Sequence, residues 1–201
     1  MSGIQYSLTF INYSAEYGSV CVYQNTNNGM GIVPLAWMVR PTHPTTVVTF
    51  KWTTDYGFVW SETGELAPEV IFSTSQVWPA DLVQNNAVTL SFLQGAYTFQ
   101  NLTKGSQEGV LEIYQDASIP PNSVSVGIAM AGSGIFARQA VPNIKISIKP
   151  QNPEYWIAFG NFKQGEALDI SAITNKQKLE FESGVFSLCA TLYRNNSWFI
   201  G

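Results

Sequence analysis

Three glutamates in one short segment, WSETGELAPEV, are the carboxylates whose spacing best suits acid–base chemistry. Glycoside hydrolysis uses two carboxyl groups about 5–10 Å apart across a bound sugar. Glu62, Glu65 and Glu69 could supply such a pair, with Trp60 stacked on the sugar ring. The Thr-Gly pair between Glu62 and Glu65 is typical of a turn, however, and glutamates beside a hairpin tip usually face water. We therefore expect no catalytic residue in this segment.

The glycine-rich stretch GIAMAGSG, residues 127–134, resembles a phosphate-binding loop. Such a loop needs a lysine directly after its second glycine and a helix behind it. Here Ser133 takes the lysine position, and strand-like sequence follows. Val124, Val126 and Ile128 alternate with small residues before it. The pattern predicts a strand, a Gly-Ser-Gly turn and a second strand, without nucleotide binding.

Other catalytic and metal-binding signatures are incomplete. His43 is the only histidine, and the prolines on both sides of it predict an exposed loop. Ser133 lacks the glycine that a nucleophile elbow has two residues earlier. Cys21 and Cys189 lie in strand-like runs, which favours two small buried side chains that could form a disulfide only if the first and last strands are neighbours. One histidine and two cysteines are too few for a zinc site. We expect no catalytic residue, no metal and no cofactor.

Aromatic residues are the most abundant groups that could bind a ligand. Six tryptophans are spread along the chain, and most of them should pack in the core. Trp78, in SQVWPADL, is the best candidate for an exposed ring, because Pro79 breaks the strand and Asp81 follows in the turn. The predicted ligand-binding residues are therefore Trp60, Trp78 and Asp81.

The elements that must position these side chains are β-strands. Val48, Phe50 and Trp52 alternate with polar residues, as do Ile144, Ile146 and Ile148. Turn signals such as Asn27-Asn28-Gly29 separate about a dozen such runs at the spacing of about 8–12 residues that is typical of sandwiches and barrels. No linker and no repeat of fixed period is visible. We predict one all-β domain over residues 1–201, a jelly-roll-like sandwich of two antiparallel sheets with little helix and more than a third of its residues in strands.

Composition and charge exclude several classes of protein. Only 12% of the residues are charged, the net charge is −4, and the ten cations are scattered, so no basic stripe for nucleic acid exists. No apolar run approaches the ~20 residues of a membrane-spanning helix. The first cation is Arg40, whereas secretory signals carry cations near their start. We expect a cytoplasmic protein, with non-classical release as the route of any export.

The low charge also predicts self-association, because natural sheets block their edges with charged residues. Residues 1–39 contain one charged side chain, Glu16. The runs QYSLTFINYS and VFSLCATLY contain none. Either strand could pair with a second copy of the chain. The alternative is that the two runs pair with each other inside one subunit and leave no open edge.

Several longer segments resemble the rhizosphere-expressed RhiA-like proteins of bacteria. They are YSLTFINYSAEYGSVCVYQ, PLAWMVRPTHPTTVVTFKWTTDYGFVWSETGEL, VGIAMAGSGIFARQAVPN and PEYWIAFGNFKQGEALDI. The resemblance covers nearly the whole chain. It implies an abundant soluble bacterial protein that is regulated with population density, and it transfers no functional residue because the family has no agreed catalytic positions.

Three functions from different classes follow from these observations. The first is a non-enzymatic interaction or structural protein that forms a homo-oligomer or larger assembly through its sheets. The second is a lectin-like carbohydrate-binding module, and the third is a glycosidase. We favour them in that order.

Overall fold

The computed structural model describes residues 4–25, 29, 31–150 and 153–201. Asn27 and Asn28 of the predicted turn lie outside the described residues. The described residues form 17 strands and no helix, so no helix among them could span a membrane. The strands are β1 (Gln5–Asn12), β2 (Gly18–Asn25), β3 (Val33–Pro34), β4 (Met38–Thr42), β5 (Val47–Thr53), β6 (Tyr56–Ser61), β7 (Gln76–Ala80), β8 (Ala87–Leu93), β9 (Ala96–Thr103), β10 (Leu111–Gln115), β11 (Ser125–Met130), β12 (Ser133–Gln139), β13 (Ile144–Ile148), β14 (Glu154–Gly160), β15 (Lys176–Leu179), β16 (Ser187–Leu192) and β17 (Trp198–Ile200).

The strands form four mostly antiparallel sheets that face each other in pairs. The sheet β17-β16-β1-β5 faces the sheet β15-β14-β2-β4, with Phe10 against Phe159 between them. We call this pair the terminal sandwich. The sheet β13-β10-β8-β9 faces the sheet β3-β12-β11-β6-β7, with Phe58 against Phe99, and we call this pair the central sandwich.

The all-β class is therefore confirmed, and strands cover well over a third of the chain. The predicted single sandwich of about a dozen strands in two sheets is not confirmed, because the described residues form 17 strands in four sheets. Alternation marks each half-buried strand but does not say which strands share a sheet. Very short strands such as β3 and β17 carry too few residues to show alternation at all.

The glycine-rich stretch forms a hairpin. The predicted strand–turn–strand order is confirmed, but the turn comes earlier than predicted, at Ala131 and Gly132. Both residues have positive φ, 48° and 78°, as a two-residue type I′ hairpin turn requires. Ser133 and Gly134 belong to β12.

The two sandwiches share one pairing scheme. In the central sandwich the hairpins are β6–β7 and β8–β9; β8 runs parallel to β10, β10 pairs with β13, and β6 pairs with β11, which pairs with β12. In the terminal sandwich the hairpins are β14–β15 and β16–β17; β16 runs parallel to β1, β1 pairs with β5, and β14 pairs with β2, which pairs with β4. The strands β14 to β17 followed by β1, β2, β4 and β5 thus repeat β6 to β13 in order.

The registers of the central strand pairs agree as well. In the terminal sandwich β14 pairs with β2 so that Tyr155, Ile157 and Phe159 lie beside Gln24, Val22 and Val20. In the central sandwich β6 pairs with β11 in the same register, so that Tyr56, Phe58 and Trp60 lie beside Met130, Ile128 and Val126. Two of these equivalent residues touch each other, since the Gln24 side-chain amide donates to Met130 Sδ at 3.7 Å. The two sandwiches therefore contact each other through equivalent positions. One continuous cluster of buried side chains runs through both sandwiches at this point.

The next strands extend the match in sequence. On neighbouring strands of one sheet, Val20 pairs with Arg40 in the terminal sandwich, and Val126 pairs with Arg138 in the central sandwich. From these arginines onward, residues 40–51 align with residues 138–149 without a gap, and three of the twelve aligned pairs are identical. The match includes a left-handed residue in each connecting loop, Thr45 with φ 70° and Asn143 with φ 61°. The repeat is not visible in the sequence because the strand order is permuted and few equivalent residues are identical.

The strands that were predicted to be open edges lie inside a sheet. Residues Ser7 to Asn12 of β1 pair with Ser187 to Leu192 of β16, so the alternative of pairing within one subunit is what the structure shows. The other neighbours of these strands are β5 and β17. Most of the true edge strands carry a charge or a proline, which opposes edge pairing. These residues are Pro34, Arg40, Pro41, Lys51, Pro79, Lys145, Lys176 and Lys178.

The equivalence of the sandwiches predicts that the chain tolerates circular permutation. Joining Gly201 to Ile4 through a flexible linker of about eight glycine and serine residues, long enough to run back along two strands, and opening the chain between Thr54 and Asp55 keeps every strand pairing. The eight equivalent strands of each sandwich then follow one another, and only β3 of the central sandwich stays between β2 and β4. We expect a β-sheet circular dichroism spectrum and a thermal midpoint within about 10 °C of that of the parent chain. A matched permutant opened between Val126 and Gly127, inside a fully buried strand, should not fold. An unfolded first permutant would contradict the proposed equivalence.

Candidate ligand-binding cleft

A cleft of about 780 Å³ opens at one end of the terminal sandwich. Three connections meet there: residues 13–17 after β1, residues 43–46 before β5, and residues 193–197 after β16. They meet because β1 and β16 are parallel and therefore end on the same side, where the antiparallel β5 begins. The described lining residues are Tyr13, Ser14, Ala15, Pro44, Thr45, Tyr193, Arg194, Asn195 and Ser197.

Two exposed tyrosines dominate the cleft. Each directly follows the last residue of its strand, Tyr13 after β1 and Tyr193 after β16. Their side chains are 50% and 44% exposed, and their ring centroids lie 6.3 Å apart with the planes tilted by 34°. The Tyr13 N–H donates to Leu192 O at 2.8 Å and so ties the two strand ends together. The result is a continuous aromatic surface open to solvent.

Two asparagines hold the loops that carry these rings. The buried Asn12 accepts hydrogen bonds from Ser14 N and Oγ at 3.0 and 2.6 Å, and its amide donates to Glu16 O at 3.1 Å. Asn195 accepts from Ser197 N and Oγ at 3.2 and 2.7 Å in the same way. Such side-chain-to-backbone bonds fix turns locally. Both walls of the cleft are therefore pre-formed.

Arg194 adds a positive charge beside Tyr193. The side chain is exposed, and it makes no hydrogen bond or ion pair within the part of the chain that the structure describes. None of the described lining residues carries a carboxylate. Tyr17 and His43, with ring centroids 4.6 Å apart, form a second exposed aromatic pair on two of the same loops.

The equivalent position in the central sandwich is closed. Asp116 corresponds to Tyr13, since its N–H donates to Leu90 O at 3.1 Å as that of Tyr13 does to Leu192 O. Ser91 corresponds to Tyr193, and its hydroxyl donates to the Asp116 carboxylate. The hairpin β8–β9 also continues as paired strands past this point, whereas pairing in β16–β17 stops at Leu192. The cleft is therefore a difference between two otherwise equivalent halves.

The predicted ligand-binding residues lie in the central sandwich, away from this cleft. Trp60 is buried, and its Nε1 donates to Gln76 Oε1 at 2.9 Å. Trp78 is half-buried, with its ring 5.9 Å from that of Phe99. Both side chains thus pack in or against the core, and the structure does not assemble them into an exposed platform. Their ligand-binding role stays a prediction.

Asp81 is exposed and holds a turn. Its Oδ1 accepts from Gln84 N and Val83 N at 2.6 and 2.8 Å, and its Oδ2 accepts from Asn85 N at 3.2 Å. These backbone hydrogen bonds, those of Gln84 and Val83 first, lower the pKa of the Asp81 carboxyl. The side chain thus has a structural role that is independent of any ligand.

The remaining candidates stay separate. Glu62, Glu65 and Glu69 are exposed, and His43 is exposed against Tyr17. No group of three or more metal-ligating side chains occurs among the described residues. Cys21 and Cys189 are both free and lie in different sheets, β2 and β16. Burial raises the pKa of the Cys21 thiol, so this cysteine is a buried apolar group.

Tyr13, Tyr193 and Arg194 were not among the residues predicted from the sequence. One signal was present: each tyrosine follows an uncharged strand run and lies within a short segment that contains an Asn-x-Ser turn. That signal does not bring the two segments together, because their contact depends on the pairing of β1 with β16.

Asp116, the residue of the central sandwich that corresponds to Tyr13, should make the stability of the fold depend on pH. Burial of Asp116 opposes its ionisation, but hydrogen bonds from Ser118 and Ser91 outweigh burial and lower its pKa below the ordinary 3.8. A carboxylate with a lowered folded-state pKa stabilises the fold fully above the ordinary pKa, and the contribution disappears as the pH falls through the lowered value.

We therefore expect Asp116→Asn to reduce the free energy of unfolding at about pH 7 and to reduce it less at about pH 3, as measured by urea unfolding. An equal reduction at both pH values would mean that ionisation of Asp116 does not stabilise the fold.

Comparisons with known proteins agree with the resemblance seen in the sequence. The family model described as RhiA matches residues 3–201. Protein RhiA of Rhizobium leguminosarum bv. viciae is 36% identical over 200 residues, which cover 98% of this chain and 86% of that protein. No solved structure matches the chain. These matches extend over both sandwiches and the cleft, and they show that the chain belongs to the RhiA family.

Proposed function

We propose that this protein binds carbohydrate at the cleft formed by Tyr13 and Tyr193. The observation that carries the proposal is the pair of exposed, adjacent tyrosine rings on pre-formed loops. Apolar aromatic surface that faces water is unfavourable, and a ligand that covers this surface gains free energy. The apolar face of a sugar ring stacks well on an aromatic ring. Two neighbouring rings suit a ligand of at least two linked sugar units.

Polar groups around the rings suit the hydroxyl groups of a sugar. The side-chain amide of Asn195 is free to donate, because only its oxygen is used by Ser197. The hydroxyls of Thr45 and of the two tyrosines add groups that both donate and accept. A ligand site of this kind combines an apolar surface with a few polar groups that fix orientation.

Binding without hydrolysis is the better-supported chemistry. A glycosidase needs two carboxyl groups beside the scissile bond. The described lining residues supply none, and Glu62, Glu65 and Glu69 lie between β6 and β7 in the other sandwich. This observation favours the lectin-like function over the glycosidase.

Truncation of the tyrosines tests the proposal. Tyr13→Ala and Tyr193→Ala should each weaken binding of an oligosaccharide, first identified with the parent protein on a glycan array, by about 3- to 10-fold, because an aromatic contact contributes about 0.5–1.5 kcal/mol. Both rings are half-exposed, so the fold should survive their loss. Isothermal titration calorimetry measures the affinity.

Tyr114→Ala is the matched control, because Tyr114 is 40% exposed on β10 of the central sandwich. Its affinity should equal that of the parent protein. A parent protein that binds no sugar, or a Tyr13→Ala variant that binds as well as Tyr114→Ala, would overturn the proposal.

Self-association is a second candidate function, now supported by a different strand. Among the edge strands in the described chain, β9 is eight residues long and contains neither a charged residue nor a proline. Such an edge can pair with a second copy through its free backbone groups. The bulge between β8 and β9 near Ala87 limits this pairing to part of the strand.

Light scattering at high concentration tests self-association through β9. If the parent protein is oligomeric, Thr98→Lys on β9 should make it monomeric by placing a charge on the open edge. The matched variant Thr49→Lys, on the edge strand β5 that already carries Lys51, should leave the oligomer unchanged. A monomeric parent protein would remove this candidate.

A further inference from the structure

We propose that the preferred ligand of the tyrosine cleft is an acidic saccharide whose carboxylate pairs with Arg194. This inference rests on the proposed carbohydrate binding and adds the chemical class of the sugar. It follows from three features of the cleft: a guanidinium without a partner among the described residues, lining residues without a carboxylate, and a loop whose backbone is held on both sides of Arg194.

The first feature is the free guanidinium. Within the described ranges Arg194 has no acidic side chain or carbonyl as a partner, although it lies in the cleft wall. Arg40, in contrast, donates to Val39 O at 2.9 Å and lies over the ring of Phe50, with its Cζ atom 6.0 Å from the ring centroid. The five donors of Arg194 are therefore available to a ligand.

The second feature is the local charge. The protein has a net charge of −4, so long-range electrostatics do not attract an anion. Screening confines such repulsion to about 8–10 Å at ordinary salt. The charges that line the cleft therefore determine whether an anion is attracted there. The described lining contains one cation and no anion. Glu16 is the only acid on the three loops, and it does not line the cleft.

The third feature is position. Arg194 lies between Tyr193, whose N–H donates to Ser197 O at 2.9 Å, and Asn195, whose side chain holds Ser197. The loop that carries the arginine is therefore held at both sides. A planar guanidinium binds a planar carboxylate through two parallel hydrogen bonds, which an amine cannot reproduce. A uronate ring stacked on Tyr193 would present its carboxylate at the ring edge, within reach of a neighbouring side chain.

A methyl ester removes the negative charge of a uronate but keeps nearly the same shape, so comparing acid and ester isolates the contribution of the charge. We would titrate the protein with tetramers of guluronate, mannuronate and galacturonate, with their methyl esters, and with neutral and sulfated tetramers. The preferred uronate should bind about 10-fold more tightly than its ester. Added sodium chloride should weaken binding of the acid and leave binding of the ester unchanged.

Arg194→Gln should bind the acid and the ester with equal affinity, and Arg194→Lys should recover only part of the preference. Arg138→Gln, on β12 of the central sandwich, is the matched control and should keep the full preference. Equal binding of acid and ester by the parent protein, with both weakened about 3- to 10-fold by Tyr13→Ala, would overturn the acidic preference and leave carbohydrate binding intact. A stronger response to the sulfated tetramer would assign the site to sulfate esters and overturn the carboxylate. If no saccharide binds, both proposals fail.

Discussion

The parallel pairing of β1 with β16 is the interaction on which the rest of the structure depends. It joins residues from opposite ends of the chain, Ser7 to Asn12 with Ser187 to Leu192, and it completes the sheet that buries Leu8 and Phe10. Closing so long a loop costs entropy, which the buried face of the sheet offsets. Because parallel strands end on the same side, this pairing also places Tyr13 beside Tyr193. The candidate site exists only when the terminal sandwich is closed.

The central sandwich shows what the same architecture does without a site. Its β10 and β8 end in the same geometry, but Asp116 and Ser91 bond to each other where the terminal sandwich exposes two rings. Core positions of the equivalent strands β5 and β13 carry similar side chains, since Val48 and Phe50 correspond to Ile146 and Ile148. Two halves that share a strand arrangement and differ at one end are what we expect if one end of a common scaffold carries the proposed binding site.

Local features of the fold could be predicted from the sequence, and long-range ones could not. The burial of Phe50 and Trp52 follows from alternation, and the hairpin at Ala131 and Gly132 follows from small residues between two apolar runs. An uncharged alternating strand can lie inside a sheet or at an open edge, so the sequence left both positions possible for β1. Trp60 was predicted to bind a ligand because glutamates follow it in the sequence, but it packs against Tyr97, which comes from another sheet. The cleft depends on a contact between residues 13 and 193, which no local pattern encodes.

The central claim is that a saccharide binds across the rings of Tyr13 and Tyr193. Nuclear magnetic resonance of protein labelled only in its nine tyrosines tests it most directly, because each ring reports separately. On addition of a uronate tetramer the ring signals of Tyr13 and Tyr193 should shift together and saturate, while those of the buried Tyr23 and the distant Tyr114 stay fixed. Shifts confined to other tyrosines, or no shift with any saccharide of the panel, would contradict the account.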